Sequence, residues 1–113
     1  MFLPGVPEID RMARVLSSCT VGRRRTAVFP LHGALSPADQ KQVFAPLSRD
    51  KSGSAPLKIV LSTNVAEASV TIPDVTVVVD TCRVKESGFD AERGMTSLLT
   101  KFCAKDSMRQ RLC

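Results

Sequence analysis

Apolar positions along this chain follow two periods. Ile9, Met12, Ala13 and Leu16 recur at helical spacing, the stripe of a surface helix with one buried face. Pro7 suits the first turn of that helix, where its missing N–H is not needed. Elsewhere the apolar residues run together. Thr26 to Leu31 reads as a short strand, and Lys58 to Ser62 and Val75 to Asp80 are β-branched runs. The last is apolar at nearly every position, as expected for a strand buried on both faces of a parallel sheet.

Between these runs the punctuation is regular. Phe2-Leu3 reads as the end of a strand whose earlier residues are absent, and Pro4-Gly5 supplies the turn after it. Ser36-Pro37 followed by Asp39 and Gln40 reads as a helix start, Asp50 to Pro56 as a loop, and Asn64 to Ser69 as about one helical turn. Met95 to Phe102 offers one more strand and Ala104 to Arg111 a helix. Strands alternating with helices predict an α/β fold around a parallel sheet, in one domain over residues 1–113.

Composition narrows the class. Among 113 residues, 43% are hydrophobic and 24% charged, which gives enough core for one folded domain and no sign of disorder. No run of about 18 apolar residues occurs, and Met1-Phe2-Leu3-Pro4 lacks the pattern of a secretory signal, so the expectation is an intracellular protein with no membrane partner. Cys19, Cys82, Cys103 and Cys113 lie far apart with a single histidine beside them, so reduced structural thiols are expected and no metal site. The net charge of +5 is compatible with a phosphate-bearing partner without requiring one. Arg23-Arg24-Arg25 is the densest basic run and reads as a solvated loop or a nucleic-acid contact.

The chemistry concentrates in residues 61–75. Ser62, Thr63, Asn64, Glu67, Ser69 and Thr71 follow a buried strand directly, in the crevice outside strand C-termini where α/β sheets bind ligands. Hydroxyls and backbone N–H groups there can hold phosphate oxygens without reading bases; the other reading is a helix cap. The run Ser62-Thr63-Asn64-Val65-Ala66-Glu67-Ala68-Ser69-Val70-Thr71-Ile72 resembles motif V of the DEAH-box and RHA-type helicases. Three further stretches fall in that family's order: Phe2-Leu3-Pro4-Gly5, then Pro30-Leu31-His32-Gly33 with Leu35, then Val79-Asp80-Thr81. Lys85-Glu86, Phe89-Asp90, residues 94–98 and Gln110-Arg111 keep its spacing up to motif VI.

This resemblance implies a partial second RecA-like domain, a parallel sheet flanked by helices and incomplete at both ends. The implied parent is an ATP-dependent RNA helicase that uses ATP with Mg²⁺ across a cleft shared with a first RecA-like domain. By the same resemblance His32, Gly33, Thr63 and Asn64 face the RNA backbone, without sequence preference. Phe44, Ser69, Thr71 and Asp74 lie toward the nucleotide, and Glu67, Gln110 and Arg111 organise their motifs. For Phe44 a core position on an amphipathic helix is the competing reading.

Motif VI continues with further arginines in the family, whereas Gln110-Arg111 is followed here by Leu112-Cys113. A phosphate-cradling G-x-x-x-x-G-K-[ST] loop and a D-E-A-H box are absent from the sequence. The chain alone is therefore expected to bind no ATP or Mg²⁺ and to have no catalytic residue. The alternative is a truncated, non-catalytic RNA- or protein-binding module. A cytoplasmic setting is implied, with a nuclear one and regulatory protein partners left open. Cys82 stands where relatives commonly have glycine, which concerns the local turn.

Overall fold

The computed structural model describes residues 1–48, 51, 53, 55–66, 71–90 and 95–112. Helix α1, Val6–Ser17, starts with a proline in its first turn and turns the expected stripe inward. Ile9 is fully buried against Leu3 and Leu61, with Met12, Ala13 and Leu16 packed around them. A short strand β1, Thr20–Val21, reverses at Gly22, whose φ of 63° favours glycine, into β2, Arg24–Leu31. The basic run is thus no simple loop. Arg24 and Arg25 pair with Val21 and Thr20 at the start of β2, although their side chains stay exposed.

Helix α2, Pro37–Phe44, is capped by Ser36, whose Oγ accepts from the Asp39 N–H at 3.2 Å. Strand β3, Leu57–Ser62, lies parallel to β2, in register from Thr26 opposite Leu57 to Leu31 opposite Ser62. Because neighbouring side chains in a strand point to opposite faces, Leu61 joins the α1 cluster. Val60 joins a second cluster with Leu31 and Val43 under α2. These two small cores hold the sheet between α1 and α2.

After β3 a single 3-10 turn, Asn64–Ala66, takes the place of the expected helical turn; residues 67–70 lie outside the described residues. Strands β4, Arg83–Asp90, and β5, Met95–Phe102, form an antiparallel hairpin, and α3, Lys105–Leu112, follows. Pattern reading found β5 and α3 but not β4. The sheets are correspondingly mixed: β1-β2-β3 in one and β4-β5 in the other, with β2 and β3 as the parallel pair.

The expected buried strand at Val75 to Asp80 is corrected by the structure. Only its end is paired: the Phe2 N–H donates to the Val79 carbonyl at 2.8 Å and the Thr81 N–H to the Phe2 carbonyl at 3.3 Å. Val77 is 73% exposed, and Val75 and Val79 are exposed too. A buried strand needs a neighbour along its whole length on each side, and residues 1–3 reach only its last positions. On their other edge those residues join β3, with the Leu3 N–H donating to the Ser62 carbonyl and the Ser62 N–H to the Met1 carbonyl.

Candidate functional site

The C-terminal ends of β2 and β3 meet, and they carry the polar residues with them. The Thr63 N–H donates to the Leu31 carbonyl at 3.2 Å, extending the parallel ladder one step past the strands. His32 and Gly33 leave β2 beside the point where Thr63 and Asn64 leave β3. The structure thus brings the four RNA-facing candidates to one edge of the sheet.

Thr63 is held by its own turn. Its Oγ accepts from the Val65 N–H at 3.4 Å, its carbonyl accepts from the Ala66 N–H at 3.4 Å, and Ser62 Oγ donates to that same carbonyl at 2.8 Å. Accepting leaves the threonine hydroxyl hydrogen able to donate outward. Asn64 and Gly33 are exposed, and a Cβ added at Gly33 would meet nothing within 4 Å. His32 is half-buried, with Nδ1 buried and lacking a hydrogen-bond partner among the described residues.

The nucleotide candidates divide. Phe44, at the end of α2, packs with Ala66 and Ile72 on the Leu31, Val43 and Val60 cluster. It therefore fills a core position while remaining partly exposed. Thr71, next to Ile72, is exposed. Asp74 stands apart: its carboxylate takes Lys58 Nζ at 3.0 and 3.1 Å, near the opposite end of β3 from Thr63. Lys58 also donates to the Ala45 carbonyl at 3.3 Å, so Asp74 ties this loop to the end of α2. Glu67 and Ser69 lie outside the described residues.

Gln110 is exposed, whereas Arg111 is 4% exposed. Its Nη1 donates to Asp80 Oδ1 at 2.8 Å and its guanidinium lies 4.9 Å from the centre of the Phe2 ring. Asp80 Oδ1 also accepts from the Cys82 N–H at 2.7 Å. Asp80 carried no assigned role in the sequence; an acid closing an apolar β-branched run was the available signal for a buried partner. No group of three or more His, Cys, Asp or Glu side chains that could hold a metal ion occurs among the described residues.

The parallel β2–β3 pair thus carries a polar edge at its C-terminal end. Residues 1–111 match the helicase conserved C-terminal domain, and the chain belongs to that family. Its relatives are DEAH-box helicases. It is 42% identical over 111 residues to a DEAH-box ATP-dependent helicase of Mycosarcoma maydis, covering 98% of this chain and 7% of that protein. With the ATP-dependent RNA helicase dhx29 of Xenopus laevis the identity is 40% over 113 residues, covering 98% and 8%. The crystal structure of the E. coli DExH-box NTPase HrpB superposes with a TM-score of 0.81 at 38% identity, over 97% of this chain and 13% of that one. The fold is accordingly the RecA-like α/β fold of that domain. The chain spans a small fraction of the relatives it matches.

Proposed function

We propose that this chain is the RNA-gripping wall of an ATP-dependent helicase motor, a partial second RecA-like domain spanning residues 1–113. The observation that carries the reading is the convergence of His32-Gly33 and Thr63-Asn64 at the C-terminal edge of the β2–β3 pair. Thr63 Oγ and the open backbone at Gly33 suit phosphate oxygens and ribose hydroxyls, which carry no base information. On this reading Thr71 and the partly exposed Phe44 line the nucleotide side, with Ser69 and Asp74 as further candidates, and Glu67 and Gln110 order the polar turns. Arg111 organises its helix through Asp80. ATP with Mg²⁺ supplies the driving hydrolysis only when a first RecA-like domain completes the cleft. RNA is then moved or unwound stepwise in the complete motor. Alone, the chain lacks a phosphate cradle and turns over no ATP. A cytoplasmic site of action fits the same reading.

The test is titration of this chain with labelled single-stranded RNAs of differing sequence. Binding is expected to be weak, indifferent to sequence and steeply salt-dependent, since each phosphate contact releases counterions. Thr63→Ala should weaken it by about 0.5–1.5 kcal/mol, the net worth of one hydrogen bond. Gly33→Ala, which has room in the fold, should weaken it only if RNA backbone approaches there. Affinity unchanged by both substitutions, or unchanged between low and high salt, contradicts the reading.

A further inference from the structure

Cys82 and Cys103 face each other at the open end of the β4–β5 hairpin. The register that sets Arg83 opposite Phe102 continues one residue further, with the Cys103 N–H donating to the Cys82 carbonyl at 2.9 Å. Opposed residues joined by such a ladder bond have Cα atoms about 5.5 Å apart. A disulfide spans about 4.4–6.8 Å between Cα atoms, so the backbone already holds the two cysteines at bridging distance. Both thiols are free.

The surroundings give the two thiols different parts. Arg83 and Phe102 share the outer face of the hairpin, where the guanidinium lies 5.6 Å from the ring centre. Side chains alternate along a strand, so the neighbouring positions fall on the inner face, where Val84 is buried. There Cys103 is buried, whereas Cys82 is half-buried and within reach of a small reagent. In the reduced chain the Cys82 thiol donates to the Asp80 carbonyl at 3.7 Å, a weak contact that rotation about its Cα–Cβ bond releases. The same turn is anchored by Asp80 Oδ1, which accepts from the Cys82 N–H at 2.7 Å and from Arg111 at 2.8 Å. Cys103 stands just ahead of α3, the helix that carries Arg111.

We propose that Cys82 and Cys103 are a redox pair that closes into an intrachain disulfide and fastens the Asp80 turn to the strand end leading into α3. The oxidant is a small-molecule disulfide of the glutathione class. Cys82, the more accessible thiol, loses its proton to solvent and attacks one sulfur of that disulfide, so that a mixed disulfide forms and one thiolate leaves. Cys103 then loses its proton and attacks the Cys82 sulfur, forming the intrachain bond and expelling the second thiolate. Two protein thiols are oxidised, and one small disulfide is reduced to two thiols that take up the two protons. The bridge uses none of the residues assigned to RNA or nucleotide.

The test incubates a Cys19→Ser, Cys113→Ser chain, in which this pair alone remains, with oxidised glutathione under native conditions. Intact mass and non-reducing peptide mapping should show the loss of two hydrogens and a peptide joining Cys82 to Cys103, both reversed by dithiothreitol. Adding Cys103→Ala should stop the reaction at one glutathionyl group on Cys82. The bridge should raise the melting temperature by about 5 °C or more, because it closes the loop between the two cysteines in the unfolded chain. A glutathionyl group that persists on Cys82 of the two-cysteine chain overturns the proposal, as does no reaction or a bridge that forms only in urea. A bridged chain that melts no higher than the reduced one overturns it as well.

Discussion

Cys82 has a φ of 58°, a conformation in which an L side chain crowds its own backbone and glycine does not. It is pinned there by the bond from its N–H to Asp80 Oδ1. The sequence signalled this position through a residue type, a cysteine where relatives commonly have glycine. Cys82→Gly should raise stability by up to about 1 kcal/mol, the relief of strain less glycine's extra unfolded-state entropy. A β-branched Cys82→Val should lower it, and paired thermal melts decide between these directions. The Met1 ammonium is a second residue under tension. Burial pushes its pKa below the ordinary 8.0, with Asp80 opposing. Because the unfolded chain then holds more protons, stability should rise with pH from the folded pKa up to about 8 and level off above it. Acetylating the N-terminus should flatten that slope in denaturant titrations; a slope that persists would place its origin elsewhere.

At the level of elements, what was legible depended on how local the determining contacts are. Helix α1 could be read from its stripe, and α2 from Ser36-Pro37, because caps and periodicity act within a few residues. Ser36→Ala should cost about 1 kcal/mol, the usual worth of such a cap. Residues 75–79 show the opposite. Their β-branched run satisfies every local criterion for a buried strand, yet strand formation depends on a partner far away in sequence, and Phe2 reaches only the last of them. Strand β4 was missed for the complementary reason: Arg83 to Asp90 has no apolar alternation, and its pairing with β5 is what makes it a strand. The contrast is measurable. Leu61, fully buried in the α1 cluster, should lose about 2–5 kcal/mol on replacement by alanine. Val77→Thr, at an equally apolar position in the sequence, should fall within about 0.5 kcal/mol of the parent. Similar losses at both sites would mean that Val77 is covered in solution.

Across the whole molecule the candidate site was legible as a motif before it was legible as a place. The polar string after β3 raised the expectation of phosphate binding, but its proximity to His32-Gly33 depends on the parallel register of β2 and β3, and the tie of Asp74 to Lys58 depends on the path back along β3. The least local feature is the junction of residues 2, 80 and 111. Arg111 closes α3 onto the sheet edge by pairing with Asp80, whose side chain is 12% exposed against 1% for the arginine, and by covering the Phe2 ring. A buried ion pair of this kind is a weak net stabiliser, since two desolvated charges offset most of their attraction, but breaking it strands one of them. Arg111→Met should therefore cost about 3–5 kcal/mol by leaving the Asp80 carboxylate buried without its cation. Asp80→Asn alone should also cost stability, since it removes the 2.8 Å ion pair with Arg111. The double variant should recover a large part of the loss, because no carboxylate is then left buried without its cation. Urea unfolding of the four chains measures the coupling directly. If the two losses add and the double variant is the least stable of the set, the pair is not the element that fastens α3 to the strands.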